Sequence, residues 1–198
     1  NSGRITEAIA AHEKAVQLRP DFADVYCNLG AAFEKIDRLE ESIASHQKAI
    51  ELKPDFAQAH NNLGNALLHR GRVEEGIAAC QRAASSQPDF PEAHMNLAVG
   101  LLLRGELRRG WEEYEWRWKV KGMLFCRDFS QPVWNGSSLQ GKTLFVYDEQ
   151  GVGDEIMFAS CLPEVIAQSN LCVVETDKRL MPLFSRSFPN ALVIDLLA

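Results

Sequence analysis

Three copies of the tripeptide Pro-Asp-Phe, beginning at Pro20, Pro54 and Pro88, stand 34 residues apart. This interval constrains the fold more than any other feature of the chain. Other residues keep the same beat. Asn28-Leu29-Gly30 recurs as Asn62-Leu63-Gly64 and as Asn96-Leu97-Ala98, Ala15 recurs as Ala49 and Ala83, and Gly71 is echoed by Gly3 and Gly105. A strict period of this length marks a stacked repeat. One unit cannot bury its apolar face alone, so its neighbours must supply the core.

Each unit reads as two antiparallel helices. Helix A of the second unit is expected from Ala57 to Arg70, with Leu63, Ala66 and Leu67 on one face and Gly71 as a left-handed stop. Helix B is expected from about Val73 to Ser85, with Ile77, Cys80 and Ala83 or Ala84 inward. Small residues facing each other, Gly64 against Gly76 and Gly30 against Ser42, let the backbones approach. Pro54 and Pro88 end helix B, and the Asp that comes after each is expected to cap the next helix A. Complete units fall at 23–56, 57–90 and roughly 91–119, preceded by half a unit at 1–22.

This pattern resembles the tetratricopeptide repeat, in which A helices line a concave binding surface. An Asn precedes each Leu-Gly or Leu-Ala step, at Asn28, Asn62 and Asn96. A primary amide donates and accepts at once, so it can pair with both groups of a peptide backbone. Helices about 8–10 Å apart and a strand rising ~3.3 Å per residue bring one Asn to roughly every third peptide residue. The array is similar to the superhelix of O-GlcNAc transferases, where an asparagine ladder holds substrate peptide. The resemblance implies a peptide-binding face of Asn28, Asn62 and Asn96, with Asn61 and Asn65 beside them. The alternative is that these amides bond within or between helices. The basic clamp of chaperone-binding arrays is absent, since Cys27, Asn61 and Met95 occupy one of its rows and Asp24, Gln58 and Glu92 another.

In the third helix B, Trp111, Tyr114 and Trp118 are spaced to share one face, with Trp116 off it. Such a face can stack on sugars, but as a packing surface it would end the array against the next domain. Residues 120–141 read as a connector carrying Pro132, Trp134, Gly122, Gly136 and Gly141. Then come strand, helix, strand, helix and strand: Leu144–Tyr147 as a buried parallel strand, a helix from Asp154, Leu171–Glu175, a helix from Lys178 to Ser187, and Ala191–Asp195. That order is half of a Rossmann-like sheet. The fold expected is an all-α solenoid over 1–119 and then a partial α/β domain over 142–198.

The turn Asp148-Glu149-Gln150-Gly151-Val152-Gly153 admits two readings. Gly151-Val152-Gly153 is a shortened dinucleotide fingerprint, with Glu175 where a ribose-binding acid would stand, but Ile156 replaces the third glycine. Alternatively, Gly141-Lys142-Thr143, the strand, the turn and Leu162-Pro163 resemble the start of a heptosyltransferase-type GT-B glycosyltransferase domain, found after tetratricopeptide arrays in bacterial proteins. That resemblance implies Asp154, in Gly153-Asp154, as the base that deprotonates an acceptor hydroxyl. Gly151, Gly153 and the helix start would then hold an anionic acceptor. Leu162-Pro163 lies about one helical turn further from Asp154 than in heptosyltransferases, and Asp154 could instead cap its helix.

A net charge of −6 argues against nucleic acid, and no apolar run reaches the ~18 residues of a membrane span. Five scattered cysteines, with no C-x-x-C pair, suit reduced thiols in the cytoplasm. No metal or cofactor is expected. The partner expected is a protein or peptide in the groove. A homo-oligomer through apolar ends, including Ile5 and Ile9 at one end and the third strand at the other, is an alternative. The chain reads as a fragment without turnover of its own, and the second alternative is a nucleotide-sugar-dependent transferase in the longer parent.

Overall fold

The computed structural model describes residues 2–120, 127, 129–148 and 151–195. Parts of the connector (121–126 and 128, with Gly122 and Cys126) and Glu149-Gln150 of the turn lie outside the described residues. The chain divides into two units, Asn1–Met123 and Leu124–Ala198.

The first unit is helical: α1 Ser2–Leu18, α2 Ala23–Glu34, α3 Leu39–Leu52, α4 Ala57–His69, α5 Val73–Ser86, α6 Pro91–Arg104 and α7 Leu107–Tyr114, then a 3₁₀ turn over Glu115–Lys119. Each α-helix packs on the next in sequence. Helices α3 and α5 end because Lys53 and Gln87, the residues before Pro54 and Pro88, are driven to extended backbone (φ −140° and −138°). The A helices α2, α4 and α6 end on one shared device. Asp37, Gly71 and Gly105 adopt left-handed φ of 61°, 74° and 86°. The N–H groups of Arg38, Arg72 and Glu106 then reach back to the carbonyls of Phe33, Leu67 and Leu101 at 2.9–3.0 Å, which satisfies carbonyls the helix would otherwise orphan.

The helix starts differ from expectation. Phe22, Phe56 and Phe90 occupy the cap positions, and no side chain caps α2, α4 or α6. Each helix begins one residue beyond the position at which Asp21, Asp55 or Asp89 would be the cap. Two histidines tie the junctions instead. The ring Nε2 of His60 lies 2.8 Å from the Pro54 carbonyl, and that of His94 lies 2.9 Å from the Pro88 carbonyl.

Apolar side chains spaced four apart on each A helix meet the preceding B helix. Leu63 and Leu67 pack with Ile43, and Leu97 and Leu101 pack with Ile77. Each such side chain contributes roughly 1.5–3 kcal/mol when fully buried. Ile9, expected at an open end, is 5% exposed and packs with Leu29, Ala32 and Phe33. The apolar stripe of α1 is already used. Gly64 and Gly76 do approach closely, since a Cβ on either would stand 3.1 Å from the other's carbonyl oxygen. At Gly30 the nearest atoms belong to the His46 ring, 2.6–2.8 Å from where a Cβ would be.

The aromatic face expected on the third B helix does not form as such. The α-helix stops at Tyr114, and the tighter winding of Glu115–Lys119 moves later side chains off the 3.6-residue period. Trp116 stacks flat on His94, centroids 3.9 Å apart, while Trp111 meets Tyr114 edge-on.

The second unit holds a parallel sheet of β1 Thr143–Val146, β2 Leu171–Thr176 and β3 Ala191–Asp195, in the order β1-β2-β3. Helices α8 Val152–Phe158, α9 Leu162–Gln168 and α10 Met181–Ser187 lie between the strands in sequence. Leu162, Cys172, Val174, Leu180 and Phe184 form the core, with Leu144 and Val146 against them. Strand β1 is half-buried rather than buried. Its alternate residue Phe145, and Tyr147 beyond it, pack with Phe129. Helix α8 begins at Val152, with Gly151 at its cap, so Asp154 is not the cap residue. Helix α10 begins at Met181 rather than Lys178, because Asp177 Oδ1 accepts the Arg179 N–H at 2.8 Å and holds a turn there.

Candidate functional site

Successive A helices also pack on one another, and among the described residues no B-helix pair does so to the same extent. A stack that is tighter along its A helices carries them on the inside of its curve. The five asparagines singled out by sequence lie on these helices: Asn28 on α2, Asn61, Asn62 and Asn65 on α4, and Asn96 on α6. Asn28 is exposed, Asn62, Asn65 and Asn96 are half-buried, and Asn61 is buried.

Their amides form a chain of bonds across the repeats. Asn96 Nδ2 donates to Asn61 Oδ1 at 2.9 Å, Asn61 Nδ2 to Asn62 Oδ1 at 3.3 Å, and Asn62 Nδ2 to Cys27 Sγ at 3.7 Å. Gln58 Nε2 donates to the same Asn62 oxygen at 2.8 Å, and Asn65 Nδ2 donates to Glu34 Oε1. These contacts, within α4 and between helices, are of the kind weighed as the alternative to a ladder. The Cys27 thiol is pushed up to about 11 by burial, then by the Asp24 charge, and the Cys80 thiol to about 12 by burial. Both are therefore protonated, unreactive thiols at neutral pH. On α3, His46 is fully buried, neither ring nitrogen has a partner, and burial depresses its pKa to about 4.

In the second unit, Gly151 and Gly153 stand at the start of α8 with no atom within 4 Å of an added Cβ. Asp154 is the third residue of α8, and its N–H donates to the Gly151 carbonyl at 2.8 Å. Ile156 is exposed, not wedged against a strand. Glu175 is not poised for a ribose. It is buried, and Arg127 Nη1 donates to its Oε1 at 2.5 Å.

Sequence reasoning missed the polar cluster at the carboxyl ends of β1 and β2. Thr176 Oγ1 and the Asp177 N–H donate to one oxygen of Glu155, at 2.5 and 3.1 Å. Arg127 also approaches Asp148 at 3.8 Å. Burial, then the Glu155 charge, holds the Asp148 carboxyl above its ordinary range, with Arg127 acting against them. The available signal was an acid just after an apolar run, as in Tyr147-Asp148 and Val174-Glu175. Among the described residues no three His, Cys, Asp or Glu side chains are grouped to hold a metal ion, and no helix is long and apolar enough to cross a membrane.

The helical unit defines a class, a repeat scaffold built from stacked helix pairs, and comparison with known proteins gives that class its name. Residues 1–37 and 37–71 match a family model described as TPR repeat, and residues 57–90 match one described as Tetratricopeptide repeat. Residues 1–90 are therefore tetratricopeptide repeats. Protein FlbA of Caulobacter vibrioides is 39% identical over 85 residues, which is 40% of this chain and 14% of FlbA. Among solved structures, one of MamA is 25% identical with a TM-score of 0.54, covering 58% of this chain and 67% of MamA. Another MamA structure is 26% identical with a TM-score of 0.51, covering 62% and 70%. MamA from Desulfovibrio magneticus RS-1 has the same fold at 23% identity, a TM-score of 0.53 and coverage of 57% and 64%.

Proposed function

We propose that this chain is a protein-interaction scaffold whose A-helix face binds an extended polypeptide. The observation that carries the reading is the row of amides, spaced by the repeat, along the A helices of the stack. Among the described residues the Asn28 amide and the Asn65 and Asn96 oxygens are uncommitted, while Asn96, Asn61, Asn62 and Gln58 are linked by amide bonds and Asn62 and Asn65 donate to Cys27 and Glu34. A peptide backbone would exchange with those bonds rather than meet empty donors, so each amide contributes about 0.5–1.5 kcal/mol net. Three together amount to roughly a 10- to 2000-fold effect on affinity. The test is to pan a display library of unstructured 15-residue peptides against the chain and measure the selected peptides by fluorescence anisotropy. Binding should weaken at least tenfold in the variant combining Asn28→Ala, Asn62→Ala and Asn96→Ala. Equal binding to that variant would remove the amide row from the mechanism.

A second reading concerns the second unit alone. We infer for it the acceptor side of a nucleotide-sugar-dependent glycosyltransferase, with Gly151 and Gly153 near an anionic acceptor and Asp154 as the base. Three parallel strands in the order β1-β2-β3 and a glycine turn opening a helix after β1 favour it. Asp154→Asn in the full-length parent should abolish transfer of a radiolabelled sugar from its nucleotide while leaving the circular dichroism unchanged. Transfer that survives the substitution refutes the role of Asp154.

A further inference from the structure

Asn135 is the one asparagine of this chain that precedes a glycine. The pairing has a chemical consequence. The backbone nitrogen of the residue after an asparagine is the nucleophile nearest its carboxamide carbon, and attack closes a five-membered ring. A side chain on that next residue crowds the attack, and a helix ties up the nitrogen. Asn61, Asn62, Asn65 and Asn96 meet both obstacles, since they lie inside α4 and α6 and are followed by Asn62, Leu63, Ala66 and Leu97.

The turn at Asn135 removes these obstacles. Asn135 and Gly136 are exposed. Gly136 has a left-handed φ of 84°, and no atom lies within 4 Å of where its Cβ would be. Among the described residues its N–H has no hydrogen-bond acceptor. The Ser137 N–H donates to Asn135 Oδ1 at 3.1 Å, and Trp134 Nε1 donates to the Ser137 carbonyl at 2.7 Å, which holds the turn. The first of these bonds draws electron density from Asn135 Cγ. It also stands where negative charge would develop if Cγ were attacked.

We propose that Asn135 is a self-modification site, converted through a cyclic imide to aspartate and isoaspartate with water as the co-reactant. The Gly136 nitrogen gives its proton to solvent base and bonds to Asn135 Cγ, while the C–O π electrons move onto Oδ1 beside the Ser137 N–H. As the carbonyl re-forms, the Cγ–Nδ2 bond breaks, Nδ2 takes up a proton and ammonia leaves. Water then opens the imide at either carbonyl. Cleavage at Cγ gives aspartate. Cleavage at the former backbone carbonyl gives isoaspartate, which puts an extra carbon into the main chain between Trp134 and Ser137. Either product adds one negative charge to a chain of net charge −6.

The test incubates the whole chain in mildly alkaline buffer and follows the tryptic peptide 128–142, bounded by Arg127 and Lys142. A sample digested at the start is the blank. Electron-transfer mass spectrometry should place a growing carboxamide-to-acid mass gain at residue 135, as both aspartate and isoaspartate, with ammonia released in equal amount. In heavy-oxygen water the product should carry one solvent oxygen. Gln131 and Gln140 of the same peptide should stay unchanged over that time, because their longer side chains must close a larger ring. Gly136→Ala should slow conversion by about tenfold or more. That variant strains a left-handed position, so Asn135→Gln, which keeps the glycine and lengthens the ring, is the second arm and should abolish the fast conversion. Asn135 that stays intact over a period in which the free peptide 128–142 converts overturns the proposal, since the folded turn would then hold Cγ away from the nitrogen. Conversion at the unaltered rate in either variant overturns it equally.

Discussion

Acid should loosen the first complete repeat before the rest, and His46 is the reason. The ring is sealed between α3 and Gly30 of α2, fully buried, and neither nitrogen has a hydrogen-bond partner. Burial is the sole cause of its shift from 6.5 to about 4, so no charged group on α2, α3 or α4 offsets it. A histidine whose folded pKa is depressed binds fewer protons folded than unfolded between those two values. Its contribution to stability is therefore fully present above pH 6.5 and is lost as the pH falls toward 4. At ~1.36 kcal/mol per pKa unit, the whole effect is about 3 kcal/mol, of which about 2 kcal/mol is already gone at pH 5.

The perturbation that isolates this effect is His46→Leu, close in volume and without polar atoms to leave unpaired. Urea unfolding monitored by far-ultraviolet circular dichroism, from pH 7.5 to 4.5, gives both curves. Carboxylate titration destabilises both proteins alike, so the informative quantity is their difference. Near pH 7.5 the two should lie within about 1 kcal/mol of each other. By pH 5 the variant should be ahead by a further ~2 kcal/mol. Curves that run parallel over this range would show that His46 reaches solvent or a proton acceptor in the folded chain, and the reasoning would fail.

Two further substitutions test local arguments. Asp37 is the one described non-glycine residue with left-handed φ, where the other repeats have Gly71 and Gly105. Asp37→Gly should raise the urea midpoint by an amount equivalent to about 0.5–1 kcal/mol, the relief of the left-handed strain less the entropy glycine adds to the unfolded chain. In the second unit, Arg127→Met removes the cation paired with the buried Glu175 carboxylate and should cost about 3 kcal/mol, the low end for a broken buried pair because Arg127 is partly exposed. Hydrogen exchange of β2 and β3 amides reports it, and adding Glu175→Leu should restore most of the protection.

What was legible in the sequence is what the backbone decides locally. Pro54 and Pro88 fix the residue before them, Gly71 and Gly105 supply a left-handed turn, and the continuous apolar run Leu171–Val174 makes Leu171–Thr176 a strand wherever it sits. The errors fall where one residue of register matters. Asp55 reads as a cap because aspartate favours caps, but the helix starts one position later and Phe56 takes the place. Trp116 reads as off the aromatic face at 3.6 residues per turn, and becomes the stacking residue once the helix tightens after Tyr114. The polar cluster of the second unit was invisible for another reason: Arg127, Asp148, Glu155 and Glu175 come from four separated segments, and their convergence is tertiary.

In the amide row, the proposed role in binding cannot be separated from the role in the fold. Asn96, Asn61, Asn62 and Cys27 link α6, α4 and α2 in one line of hydrogen bonds. In a solenoid, stability is close to a sum of repeat terms and nearest-neighbour interfaces, so these bonds belong to the interface terms. A peptide that takes the amides must release part of what joins one repeat to the next, and it returns the loss by spanning the same repeats itself. Ligand occupancy and the stiffness of the array are then two readings of one set of donors. A ligand that engages the Asn28 amide and the Asn96 oxygen while leaving the central relay intact escapes that exchange. It would bind across the full width of the three repeats, with its affinity set by how well their spacing is held before it arrives.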